Sequence, residues 1–105
     1  MRSEILALAK ARGVMIATAE SCTAGMVAAA LTDLAGSSAV FERGFVTYTN
    51  AAKMQMLDVQ AATLEANGAV SEQVAEQMVR GALAHSDAQL AVSLTGIAGP
   101  GGSEH

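Results

Sequence analysis

Apolar positions along the chain alternate between runs with helical spacing and short unbroken stretches, with glycine or a capping residue at most of the breaks. Residues 3–12 carry Ile5, Leu6, Leu8 and Ala9 on one face, with Ser3 placed to cap a helix and Gly13 to stop it. Residues 14–19 are apolar except for Thr18, the pattern of a strand buried on both faces. A second helix is expected to start within Glu20-Ser21-Cys22-Thr23 and run to about Leu34, because Met26, Val27, Ala30, Leu31 and Leu34 recur at helical spacing before Gly36. The alanines on its other face predict close packing against a sheet. After a loop at 37–42, residues 44–49 (Gly-Phe-Val-Thr-Tyr-Thr) have strand composition. Asn50 is placed to cap a short helix over 51–57, and a further helix over 60–66 ends at Asn67-Gly68. Ser71 caps a longer helix reaching about His85, with Val74, Ala75, Met78, Val79, Ala82 and Leu83 as its buried stripe. Residues 89–94 read as another buried strand, followed by the glycine-rich loop 96–102.

This order predicts an α/β fold of three layers, with helices on both faces of a mainly parallel or mixed sheet. There is no internal repeat and no linker, so residues 1–105 are read as a single domain. In such a sheet, ligands bind beyond the carboxyl ends of the strands. Three polar segments fall there: Glu20-Ser21-Cys22-Thr23, Tyr48-Thr49-Asn50 with Lys53, and the glycine loop.

Composition narrows the function. Hydrophobic residues make up 51% of the 105 and charged residues 15%, which excludes a disordered tail. Six basic and ten acidic residues give a formal charge of −4 with the basic ones scattered, so neither nucleic acid nor an anionic membrane is an expected partner. The lone Cys22 has no intrachain disulfide partner, which fits a reducing compartment. The apolar stretch 5–9 is short for a signal peptide, and Glu4 stands where basic residues belong. No run approaches the roughly 18 apolar residues of a membrane span. A soluble cytoplasmic protein is therefore expected.

Several residues in the three segments could carry chemistry, and each also has a plain structural reading. Ser21 stands where helix-start amides could stabilise an oxyanion, yet Ser21 or Thr23 could simply be an N-cap. Lys53 falls in the first turn of its helix, where the dipole disfavours a cation, and Tyr48 before it closes a buried strand, so partial desolvation is expected as well; both would lower its pKa, as a lysine base requires, while alone it reads as a solvated lysine. Tyr48 has a hydroxyl that could relay a proton, or it is a half-buried strand aromatic. The loop 96–102 could cradle an anion through its amides but lacks the Lys-Ser/Thr of a P-loop. Cys22 would need a histidine to act as nucleophile, and His85 and His105 are poorly placed for a triad. No cluster has metal-ligand spacing, so no metal is expected.

Four blocks of sequence carry a family resemblance. Thr18-Ala-Glu-Ser-Cys-Thr-Ala-Gly25 is similar to the signature of the CinA C-terminal domain family, the nicotinamide-nucleotide amidases. Gly36-Ser-Ser with Phe41-Glu-Arg-Gly-Phe-Val-Thr-Tyr-Thr-Asn50 and Lys53 resembles its second block, Gly68-Ala-Val-Ser-Glu72 its third, and Gly96-Ile-Ala-Gly-Pro-Gly-Gly-Ser103 its fourth. The one departure inside the first block is Ala24, where the family has glycine.

The resemblance implies hydrolysis of the carboxamide of nicotinamide mononucleotide to nicotinate mononucleotide and ammonia. It implies Ser21 as nucleophile, with Lys53 and Tyr48 as its activating partners. Substrate contacts are expected from Glu20, Cys22, Thr23, Arg43, Asn50, Thr95, Gly96, Gly99 and Gly101, and no cofactor is expected. The partner is then a small pyridine nucleotide; formation of a homo-oligomer is left open. The family domain continues past the glycine loop into further strands and a helix, so the chain is expected to lack the last of these. Two competing readings stand beside the enzyme: a non-catalytic nucleotide-binding module, or inactive fragment of such a domain, and a purely structural domain.

Overall fold

The computed structural model describes residues 2–96. The chain starts with helix α1, Arg2–Arg12, and passes through Gly13 (φ 67°), the left-handed turn expected after a helix end. Because the helix already includes Arg2, Ser3 lies inside it and is not the cap. Strand β1, Ile16–Glu20, follows, and all five of its residues are buried. The next helix, α2, is Met26–Thr32; it starts at the first of its periodic apolar residues, three to six residues later than the expected start within 20–23. Glu20 belongs to the strand, and 21–25 is a turn that closes with Ala24 and Gly25 both at positive φ (50° and 98°).

A single 3-10 turn, Ser37–Ala39, leads into strand β2, Phe41–Val46, which is displaced toward the N-terminus from the expected 44–49. Helix α3, Asn50–Leu57, is capped by Thr49, whose side chain accepts from the Ala52 amide at 3.0 Å, and not by Asn50. Helix α4 is Ala61–Asn67. Helix α5, Glu72–Ala84, is capped as expected by Ser71, which accepts from the Val74 amide. Strand β3, Leu90–Leu94, is the last element among the described residues.

The three strands form one sheet in the order β2-β1-β3, and both pairings are parallel. Side chains alternate along β1, which sorts its residues between two cores. Ile16 packs with Leu6, Ala9, Leu31 and Val40 under α1 and α2. Ala19 packs with Leu57, Val59, Leu64, Val74, Met78 and Ala82 under α3, α4 and α5. Helices thus cover both faces. Two glycines mark where these layers approach most closely. A Cβ at Gly44 would stand 2.7 Å from Thr18 Oγ1 and 3.4 Å from the Ala28 Cβ, the close α2–sheet contact that the alanines predict. A Cβ at Gly81 would run into the Leu57 carbonyl, which fixes the contact of α5 with the end of α3.

Strand β3 departs from expectation in one respect. Leu90 and Val92 stand opposite Ile16 and Thr18 and are 46% and 41% exposed, so one face of this apolar strand is uncovered among the described residues.

Candidate active site

Parallel pairing brings the carboxyl ends of the three strands to one edge. Glu20 is in register with Val46 and with Leu94, so residues 21, 47 and 95 emerge side by side. Hydrogen bonds hold this edge together: Ser21 N donates to the Leu94 carbonyl at 3.0 Å, and Thr47 N donates to the Glu20 carbonyl at 2.8 Å. The chain leaves β1 toward the α2 face and leaves β2 toward the α3 face. The crevice between their ends is therefore a topological switch point, where open α/β sheets bind ligands.

Ser21, Cys22 and Thr23 lie on one side of this crevice, and Tyr48, Asn50 and Lys53 on the other. Ser21 is buried. Lys53 is only 2% exposed, and its Nζ donates to the Tyr48 carbonyl oxygen at 3.5 Å. Burial pushes the Lys53 ammonium below the ordinary lysine range, while the nearby Cys22 sulfur pulls it the other way. The expected direction holds, and desolvation by the protein is its leading cause. Tyr48 lies beyond the end of β2 and is 62% exposed. It meets Lys53 through its backbone carbonyl, and among the described residues its hydroxyl has no hydrogen-bond partner.

Thr95 and Gly96 come to the same edge. Thr95 Oγ1 donates to the Ala69 carbonyl at 2.7 Å, and a Cβ at Gly96 would lie 3.4 Å from Cys22 Sγ. An open cavity of about 470 Å³ starts at Cys22 and Thr95 and runs past Ser93 and Leu94 to Ser71 and Glu72 at the start of α5. Gly99 and Gly101 lie outside the described residues. Asn50 is the exposed first residue of α3. Arg43 is not brought to this edge. It pairs with Ala17 in mid-strand, and its guanidinium donates to Glu42 Oε1 at 2.6 Å and to the His85 carbonyl at 3.1 Å, toward the opposite end of the sheet.

Glu20 occupies a place that its sequence position does not announce. Its carboxylate is fully buried and accepts from Thr23 Oγ1 at 2.6 Å and from the amides of Gly25 (3.1 Å), Val27 (2.9 Å) and Ala28 (2.8 Å). Burial alone would raise its pKa; these four bonds outweigh burial and hold it below the usual carboxylate range. The helix-start amides expected to meet an oxyanion are therefore already bonded to Glu20. Ser21 caps no helix. Among the described residues no three His, Cys, Asp or Glu side chains gather as metal ligands, and no helix is long and apolar enough to cross a membrane.

The CinA C-terminal domain family matches residues 1–105. A nicotinamide-nucleotide amidohydrolase PncC from Enterobacter agglomerans is 58% identical over 99 residues, covering 94% of this chain and 60% of the relative. The protein of that name from Escherichia coli K12 is 62% identical over 96 residues, covering 90% of this chain and 58% of the relative. The chain thus spans about three fifths of the length of these relatives. Among solved structures, the competence/damage inducible protein CihA from Agrobacterium tumefaciens superposes with a TM-score of 0.93 at 56% identity, over 98% of this chain and 62% of that one. A CinA superfamily protein from Klebsiella pneumoniae superposes with a TM-score of 0.95 at 40% identity, over 98% of this chain and 64% of that one.

Proposed function

The chain belongs to the CinA C-terminal domain family, and from that premise we propose that it acts as an amidohydrolase on nicotinamide mononucleotide. In this reading residues 1–105 form one domain, and a cytoplasmic setting accords with the lone Cys22. Ser21 Oγ attacks the carboxamide carbon, and neutral Lys53 takes the serine proton. The tetrahedral intermediate collapses, the C–N bond breaks, and ammonia leaves with a proton from Lys53. Water then hydrolyses the acyl-serine to give nicotinate mononucleotide. The positively charged pyridinium ring already withdraws electrons from the carbonyl, so no cofactor is invoked.

The single observation that carries this reading is Lys53: a lysine buried to 2% exposure, close enough to the loop that holds Ser21 for the Cys22 sulfur to act on its charge. Burying an ammonium is costly unless the site uses its neutral form. The relatives named as nicotinamide-nucleotide amidohydrolases supply the substrate class. The reading is tested by incubating the protein with nicotinamide mononucleotide and measuring ammonia and nicotinate mononucleotide. Equal release of both is expected. Binding of the nucleotide without release of ammonia would favour a non-catalytic nucleotide-binding module.

A further inference from the structure

We propose that Glu20 is a positioning residue for the reaction: by taking the amides at the start of α2, it sets the 21–25 turn so that the amides of Cys22 and Thr23 are left to receive the oxyanion. The inference rests on the amidase reading above and adds to it the identity of the donors and of the residue that holds them.

Six of the eight backbone amides from 21 to 28 have an acceptor among the described residues. Ser21 N donates to the Leu94 carbonyl, Ala24 N to the Ser21 carbonyl and Met26 N to the Thr23 carbonyl. Gly25, Val27 and Ala28 donate to the Glu20 carboxylate. Among the described residues only the Cys22 and Thr23 amides of this stretch meet no acceptor. They are the two that directly follow Ser21. The amide after a nucleophile is a recurrent oxyanion donor, because the chain geometry that presents the side chain also presents that N–H.

Glu20 is what leaves these two and not the others. A helix start is the ordinary place for an anion, but here the protein supplies the anion itself. The same carboxylate holds Thr23 Oγ1 at 2.6 Å, so it grips the turn at 23 and again at 25. Between these points Ala24 is held at φ 50°, a conformation an alanine adopts only under constraint. Glu20 itself is fixed in β1, which is hydrogen-bonded on both sides. The register of the sheet is thereby passed to the loop that carries Ser21.

The test compares Glu20→Gln, Thr23→Val and Thr23→Ser with the unaltered protein on nicotinamide mononucleotide, recording kcat, KM and Tm. Glutamine cannot accept on its amino side, so at least one gripped amide is released. Glu20→Gln is expected to lower kcat about 10–100-fold, since a misplacement near 1 Å costs on that order. KM should stay within about twofold, as for an interaction made only in the transition state. Thr23→Val should lower kcat in the same sense, and Thr23→Ser, which keeps the hydroxyl, should retain it. A lowered Tm with unchanged kcat would overturn the proposal and leave Glu20 as a helix cap alone. A raised KM with unchanged kcat would also overturn it, by making Glu20 and Thr23 substrate contacts. If Glu20→Gln does not fold, the Thr23 pair decides by the same criteria. Absence of ammonia release from the unaltered protein would instead sink the amidase reading on which the proposal rests.

Discussion

The ammonium of Lys53 donates to the backbone carbonyl of Tyr48 at 3.5 Å, which ties the first turns of α3 to the end of β2. The lysine is thus held by main chain, and its position does not depend on the exposed Tyr48 ring. Burial lowers its pKa, so the neutral form is favoured in the folded protein. Between the folded value and the ordinary value of 10.5, the unfolded chain binds the extra proton, and stability rises with pH through that window. Below it the full burial penalty applies. Lys53→Met is therefore expected to raise Tm near neutral pH and to abolish turnover. Lys53→Arg, which cannot lose its proton, should be inactive as well. Activity of the unaltered protein should rise with pH along one ionisation below the ordinary lysine range. Melting curves and pH–rate profiles of the three proteins check this.

Ala24 sits at φ 50° where the resembling signature has glycine. Its side chain is exposed, so replacing it disturbs no packing. Ala24→Gly should relieve the left-handed strain and stabilise the fold by roughly 0.5–1 kcal/mol, less the added freedom of the unfolded chain. A denaturant midpoint that moves down would contradict the constrained-turn account.

Gly81 faces the Leu57 backbone with no room for a Cβ. Gly81→Ala should destabilise by about 1–3 kcal/mol, as overpacking does, because backbone must shift to admit the methyl group. Gly36 is the control: it has φ 83° and open space around a Cβ, so Gly36→Ala should cost only about 1 kcal/mol from backbone conformation. Urea unfolding of the two variants separates the mechanisms.

The element order and the meeting of the carboxyl ends of β1, β2 and β3 at one edge were legible in the sequence, because short buried runs, Gly stops and Ser71 are local signals. The start of α2 was not. Its cap is Glu20, whose carboxylate reaches amides five to eight residues ahead, and no capping pattern covers that span. The burial of Lys53 left a faint signal, since Leu57 follows one turn later on the same helix face, but a lysine there reads first as surface. Arg43 was drawn to the site by its place within a matched block, yet strand geometry sends it toward His85. The apolar character of Leu90 and Val92 predicts burial, whereas β3 is an edge strand among the described residues.

The central claim is that Ser21 forms an acyl intermediate with the substrate. Ser21 Oγ has no hydrogen-bond partner among the described residues and caps no helix, so Ser21→Ala should fold with a Tm close to that of the unaltered protein. The most direct measurement is the mass of acid-quenched protein after brief exposure to nicotinamide mononucleotide, with the modified peptide mapped. The account predicts a nicotinoyl-nucleotide adduct on Ser21 that disappears in Ser21→Ala, together with a fall in turnover of about 10³-fold or more. An adduct on Cys22, or near-normal turnover by folded Ser21→Ala, would contradict it.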